Sequence, residues 1–273
     1  MKNHIRLMRI LSAVLVLMLT GSLMAGCSTG SSKNTLKIGM ELAFPPFETK
    51  NDAGEPFGIS VDIANAFGAY LGRPVEIQNI AWDGLIPALE TGKVDMVISS
   101  MTITESRALT VDFSDPYAWA YLALLVNTKS GIEKAADFNK AGRVLAAKKG
   151  TSAVEFTQKN YPLVEIRQLT SESACVTEVS QDKADAFMYD QLSIYRNYLQ
   201  FPGNTKVVYI PDQQAQAWGA AFKKGNSDLV TKMNLFIEKY RSEGGFDKLG
   251  DKYLADEKTF FKANGLKFFF EKP

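Results

Sequence analysis

The sequence predicts an α/β fold built as two similar lobes. Three observations carry that prediction. From Leu36 onward, short β-like runs alternate with helical segments, the pattern of helices crossing over mostly parallel sheets. A stretch at 85–99 runs helix, Lys93-Val94-Asp95, strand, and a stretch at 176–190 repeats it as helix, Lys183-Ala184-Asp185, strand. The chain has 273 residues, 46% of them hydrophobic, enough for one or two domains with a real core. Asp95 and Asp185 read as turn-fixing residues, because Lys-x-Asp before a strand is ordinary turn chemistry.

Taken in order, 36–40 is a strand. Residues 61–71 carry Val61, Ile63, Ala64, Phe67 and Leu71 on one helical face, with Asp62 in the first turn where the helix dipole favours an acid. Strands follow at 75–80 and 94–99, with a helix at 83–90 between them. Residues 122–127 form a long apolar strand. Then come strand 144–147, helix 152–160, strand 164–169, helix 172–181 and strand 184–189. Strands at 207–210 and 217–222 precede helices at 226–241 and 246–253. Cys175 falls in the 172–181 helix and reads as a quiet core thiol. The aromatic tail 258–273, with Phe260, Phe261, Phe268, Phe269 and Phe270, is expected to pack on the first lobe.

Composition excludes several function classes. Lys and Arg total 31 against 30 Asp and Glu, which argues against a nucleic-acid binder. The single His is His4 and the only cysteines are Cys27 and Cys175. A Cys/His zinc site, a Ser-His-Asp triad, a Cys-His pair and a disulfide framework therefore lack their parts. Neither a metal nor a cofactor is expected.

The N-terminus reads as an export signal. Lys2, Arg6 and Arg9 precede an apolar run at 10–19, and Ala25-Gly26 stand directly before Cys27. The run is too short and interrupted to span a bilayer, which takes about 20 apolar residues. Ala25-Gly26-Cys27 resembles a bacterial lipobox, although Met24 stands where Leu is usual. That resemblance implies a signal peptide at 1–26, a lipid on Cys27, and a flexible tether at 27–34 rich in Ser and Gly. It places the protein outside the cytoplasm, anchored to the cell membrane by lipid alone.

Four clusters carry chemistry. Glu41 to Glu48 follows the first strand, and its paired prolines stiffen the loop. Phe47 reads as core and Phe44 as a ligand-facing wall. Ser99-Ser100-Met101-Thr102 follows the strand at 94–99, at the carboxyl end where ligands bind in open α/β sheets. Arg107, a few residues on, suits a carboxylate through two parallel hydrogen bonds. Taken alone, this segment reads first as a plain capping box, from Thr102 or Thr104, with Arg107 on a solvated face. Thr151 and Ser152 open a helix whose free N–H groups favour an anion, or they serve as simple N-caps. Tyr189-Asp190 ends a strand with an acid, a partner for a cation or a cap for the next helix. Together the clusters complement a zwitterion, with Arg107 and a helix N-terminus for a carboxylate and Asp190 with hydroxyls for an ammonium.

The motifs Ala43-Phe44-Pro45-Pro46-Phe47-Glu48, Gly58-x-x-Val61-Asp62-Ile63-Ala64, Trp82-Asp83-Gly84-Leu85-Ile86-Pro87-Ala88-Leu89, Gly92-Lys93-x-Asp95, Thr102-Ile103-Thr104-Glu105-x-Arg107 and Val111-Asp112-Phe113-Ser114-x-Pro116-Tyr117 resemble those of bacterial extracellular solute-binding proteins of the polar amino-acid class, partners of ABC importers. The resemblance covers about 36–253. It implies the type II periplasmic-binding-protein fold, with two lobes, two crossing hinge strands and a ligand cleft between the lobes. By it, lobe one is 35–121 and 222–273, lobe two is 122–221, and the hinges lie near 122–127 and 214–222. The family's functional positions imply that Arg107 clamps the ligand carboxylate, supported by Thr102, Thr151 and Ser152. Asp190, with Thr102 and the Ser100 carbonyl, takes the ammonium. Phe44 and Trp82 sandwich the side chain, and Glu41 meets its far end. Ser99, Lys148, Ala153 and Tyr189 complete the pocket. The implied partners are a free amino acid and an ABC transporter permease, with no nucleic acid, and a monomer is expected. An acid at 41 beside two aromatics leans toward a basic ligand, with glutamine and cystine as alternatives. The rival reading is a cyclohexadienyl (prephenate or arogenate) dehydratase-like enzyme on the same fold, which needs a tuned general acid. Glu41 is the obvious candidate for that role.

Overall fold

The computed structural model describes residues 34–273. The export signal, the lipobox and Cys27 lie outside the described residues. Among the described residues no helix is long and apolar enough to cross a membrane. Leu36–Pro273 forms one compact unit.

Two five-stranded sheets organise this unit. The first contains β1 (Leu36–Met40), β4 (Val75–Asn79), β5 (Met96–Val97), β6 (Val111–Phe113) and β14 (Ala221–Lys223), in the order β4-β1-β5-β14-β6. A two-stranded hairpin, β2 (Thr49–Lys50) with β3 (Pro56–Phe57), sits apart. The second sheet contains β8 (Leu122–Asn127), β9 (Val144–Lys148), β10 (Glu165–Leu169), β11 (Ala186–Asp190) and β12 (Thr205–Tyr209), in the order β10-β9-β11-β8-β12. A separate antiparallel pair, β7 (Ala118–Ala120) with β13 (Gln216–Trp218), lies in the chain between them.

The expectation of mostly parallel strands is corrected. Each sheet has two parallel and two antiparallel pairings. The cause is the same in both. β8 follows the crossing strand β7, and β14 follows β13, so one strand per sheet re-enters from the neighbouring sheet and runs against its neighbours. A second correction concerns 122–127. All six residues are buried within the second sheet, so this segment is a core strand, and the crossing strand is Ala118–Ala120 just upstream. The run at 217–222 is likewise two strands, split at Gly219-Ala220, with Ala221 already paired in the first sheet.

Helices cover both sheets. α1 (Ile59–Leu71) buries Ile59, Val61, Ile63, Ala64 and Phe67, and α2 is Leu85–Glu90. The single turn α3 (Glu105–Ala108) starts on the Thr104 side chain, which accepts from Arg107 N. α4 (Ser152–Asn160), α5 (Glu172–Ser180) and α6 (Gln191–Gln200) serve the second sheet. α7 (Ser227–Ser242), α8 (Gly245–Tyr253) and α9 (Ala255–Ala263) return to the first. Phe261, Phe268, Phe269 and Phe270 join the first core, as expected of the tail. Cys175 is fully buried in the second core, where burial pushes its thiol up to about 12.

The internal repeat has a shared local cause. Asp95 accepts Lys37 N at 2.9 Å, and Asp185 accepts Val144 N at 2.8 Å. Each acid therefore holds the start of the neighbouring parallel strand. Each also meets an arginine from the segment leading into a strand, Arg73 at 3.7 Å and Arg143 at 2.6 Å.

Candidate functional site

The carboxyl ends of both sheets converge on one cavity. It is lined by Glu41, Phe44, Trp82, Ser99, Ser100, Thr102, Arg107, Thr151, Ser152, Tyr189 and Asp190, all anticipated from sequence. Ala153, also anticipated, lines it as well. Lys148 does not border the cavity. It is buried behind the wall and reaches the Glu41 carboxylate, forming an ion pair. Glu48, Ala120, Leu122, Gln216 and Trp218 line the cavity without having been assigned a role from sequence.

The loop after β1 is held tightly. Phe44 N donates to Glu48 O at 2.8 Å and Glu48 N returns to Phe44 O at 2.9 Å, closing a turn around a cis Pro45-Pro46 bond. The start of α1 packs against this turn. A Cβ on Gly58, whose φ is +123°, would lie 2.5 Å from Phe47 O, so only glycine fits there. Phe44 is both wall and core. Its ring stacks on Phe47 at 5.2 Å and meets Tyr189 and Trp218 edge-on at 5.6 and 6.0 Å.

Arg107 sits 8% exposed at the cavity edge. Nη1 donates to Thr102 O at 2.7 Å and Nη2 to Gly150 O at 2.9 Å. Burial pulls it down to about 10, so it stays charged at neutral pH. Among the described residues no carboxylate forms an ion pair with it. Trp82 lies against the same cation, with the guanidinium carbon 5.2 Å from the ring, and its Nε1 donates to Gly150 O at 3.1 Å.

Across the cavity, α4 presents its N-terminus. Thr151 occupies the N-cap, but its hydroxyl donates back to Lys148 O at 2.7 Å and caps nothing. The N–H groups of Ser152 and Ala153 have no intrahelical acceptor by helix geometry, and both residues line the cavity. Ser152 Oγ lies 3.3 Å from Thr102 Oγ1. This end of the cavity therefore holds a buried cation and free backbone donors.

Asp190 marks the opposite polarity. It ends β11 and caps α6, with Oδ1 accepting Leu192 N at 3.1 Å and Ser193 N at 3.0 Å. The acid caps a helix, as one reading expects, and it also lines the cavity. Its Oδ2 is buried with no hydrogen-bond partner, and burial raises its pKa. A buried unpaired carboxylate oxygen is costly unless a donor arrives.

Two further acids escaped sequence reasoning. Glu48 is 1% exposed, takes three serine hydroxyls, and is pushed up to about 8 by burial. Its signal in the sequence is a single charge next to an aromatic-proline run. Glu172 opens α5, accepts from Asn197 Nδ2 at 2.7 Å, and is pushed up to about 7, again by burial. Nothing local in the sequence distinguishes it from an ordinary first-turn acid.

Comparison with known proteins agrees with this architecture. Residues 36–256 match the family model of bacterial extracellular solute-binding proteins, family 3. The L-cystine-binding protein TcyJ of Escherichia coli (strain K12) is 28% identical over 228 residues, 83% of this chain and 85% of that one. An ancestral arginine-binding protein bound to arginine superposes with a TM-score of 0.73 at 33% identity, covering 81% of this chain and 99% of the other. An ancestral arginine-binding protein bound to glutamine gives 0.70 at 32%, covering 81% and 98%. The chain, with its two sheets, its crossing strand pair and its shared cavity, belongs to the bacterial extracellular solute-binding proteins, family 3.

Proposed function

We propose that the protein binds one free polar amino acid in the cavity between its two sheets and delivers it to the permease of an ABC importer. The observation that carries this reading is the pair of unmet charges in one cavity: Arg107 without a carboxylate, and Asp190 with an orphan oxygen. A zwitterion satisfies both. Its carboxylate goes to Arg107 and the first-turn N–H groups of α4, with Thr102 and Thr151 in support. Its ammonium goes to Asp190, Thr102 and the Ser100 carbonyl, and Phe44, Trp82 and Tyr189 flank the side chain. Relatives bind cystine, arginine or glutamine by name, which supports the amino-acid class.

The far end of the cavity narrows the choice. The Glu41 carboxylate that suited a basic ligand already holds Lys148. A guanidinium or second ammonium would have to compete with that lysine, whereas a neutral amide needs only an acceptor from the Glu41 carboxylate. The preferred ligand in this reading is therefore glutamine-like.

The two lobes are assigned as 35–121 with 222–273, and 122–221. Because Arg107 and Asp190 stand on different lobes, a ligand touching both favours the closed arrangement, the form a permease would recognise. The protein acts as a binder and not as an enzyme, as a monomer without metal or cofactor. It is exported by residues 1–26 and tethered outside the cytoplasm by a lipid on Cys27.

Thermal unfolding of the protein against the common amino acids and prephenate tests this. A ligand at 100 times its Kd adds about 2.7 kcal/mol, which for a chain of this size raises Tm by roughly 5–10 °C. A rise with one or a few polar amino acids, recovered unchanged, supports the reading. A rise with prephenate alone, with turnover, supports the dehydratase, for which Glu48 is a better placed acid than Glu41.

A further inference from the structure

Glu48 makes no contact assigned to the zwitterion, yet it is the most enclosed acid of the cavity wall. Ser99 Oγ lies 3.2 Å from its Oε1, and Ser60 Oγ and Ser100 Oγ lie 2.6 and 3.0 Å from its Oε2, all within hydrogen-bond distance. Among the described residues no lysine or arginine forms an ion pair with it. These serines come from two places, the first turn of α1 and the turn after β5.

The turn after β5 is unusual. Ser100 adopts φ +49°, a left-handed conformation that L-residues avoid. It is held from two sides, by Glu48 on its hydroxyl and by Tyr117 Oη accepting its N–H at 3.1 Å. Ser99 extends the same chain, accepting Glu41 N at 3.0 Å while donating to Glu48. One carboxyl thus sets the backbone of Ser100, whose carbonyl is assigned to the ligand's ammonium, and the start of the Glu41 loop.

We propose that Glu48 is a positioning residue of the ammonium subsite, and that it releases its proton to solvent when the ligand's ammonium enters the cavity. This rests on the amino-acid reading. In the empty cavity, burial and the neighbouring acid Glu41 disfavour the carboxylate, holding Glu48 near 8 and protonated at neutral pH. The other titratable groups near it are Tyr117 on the loop before β7, Tyr189 and Asp190 on β11, and across the cavity Arg107; Lys148 is committed to Glu41. An arriving ammonium is a new positive charge in a low-dielectric space and favours the ionised carboxyl. While protonated, Glu48 donates from Oε2 to the Ser60 or Ser100 hydroxyl; when its O–H bond breaks, the proton goes to solvent and the carboxylate accepts from all three hydroxyls. No electron transfer is involved.

Calorimetric titration of the protein with L-glutamine, and with the amino acid giving the largest rise in Tm, tests this at pH 7 in phosphate and in Tris. The expected result is release of about one proton per ligand, and affinity rising up to about tenfold per pH unit between pH 6 and 8. Glu48→Gln should remove the release and flatten the profile, with affinity near wild type at pH 6 and well below it at pH 8. Binding by wild type without proton release overturns the proposal whether or not the variant folds. So does an unchanged release in the variant, which would assign the proton to Glu172 or Asp190. Binding by no amino acid overturns the amino-acid reading itself, and the proposal with it.

Discussion

The two walls of the cavity share a topology and differ in how their polar groups are satisfied. Both come from a five-stranded sheet with one reversed strand and an Asp-fixed turn. On the first wall, Glu48, Ser99 and Ser100 bond to one another and to the Glu41 loop within the same half of the chain. On the second wall, the first N–H groups of α4 lack partners and Asp190 Oδ2 is orphaned. The difference teaches a division of labour. In the proposed reading the serine–carboxyl network of the first wall is assembled before the ligand arrives, whereas Arg107 beside it and the second wall are completed by the ligand, so removing Glu48 and removing Arg107 or Asp190 should have different signatures.

The largest expected effect falls on affinity. Arg107→Ala and Asp190→Ala each remove one member of a buried charge pair with the ligand, a loss of about 2–5 kcal/mol. Titration calorimetry should show at least about a 30-fold rise in Kd in each case. The Asp190 variant also loses the cap of α6, worth about 1 kcal/mol of stability. Gly58→Ala comes next, because its Cβ collides with Phe47 O in a strained backbone region. It should cost roughly 1–3 kcal/mol of stability, read by chemical denaturation, and loosen the turn that carries Phe44 and Glu48.

The preassembled wall makes a pH prediction for the ligand-free protein. Glu48 is raised from 4.5 to about 8, so the folded state binds its proton more tightly than the unfolded state. The resulting stability is fully present below pH 4.5 and is lost as pH rises through about 8. Glu48→Gln carries no such charge. Its Tm relative to wild type should therefore improve steadily from pH 5 to pH 9, and a pH-independent difference would count against a protonated Glu48. The smallest effect sharpens the repeat. Asp95→Asn and Asp185→Asn each weaken one strand-start hydrogen bond, at roughly 0.5–1.5 kcal/mol. Asp185 should cost more, since its arginine is closer, 2.6 Å against 3.7 Å.

Much of this architecture was legible in the sequence. Strand 36–40, helix 152–160 and strand 122–127 announce themselves by period and apolar run, and the cavity residues cluster because they follow strands at their carboxyl ends. What escaped was non-local. The direction of β8 and β14 depends on a crossing pair of only three residues each, too short to show a period. α6 was missed although Asp190 stands at its cap and Leu192, Ile194, Tyr195, Tyr198 and Leu199 run along it. The Glu41–Lys148 pair joins residues from different sheets, and no local spacing reports it. Glu48 acquires its meaning only when Ser60, Ser99 and Ser100 fold around it.

If one zwitterion meets Arg107 on the first wall and Asp190 on the second, its two charges must each be coupled to one residue. The most direct measurement is a binding cycle that pairs Arg107→Ala and Asp190→Ala with the best amino acid, its deaminated analogue and its decarboxylated analogue. Losing the ligand's ammonium is predicted to cost wild type at least about 30-fold but to cost the Asp190 variant little, and losing the carboxylate is predicted to behave the same way with Arg107. Equal losses in wild type and variants, or analogues that bind as well as the amino acid, would contradict it.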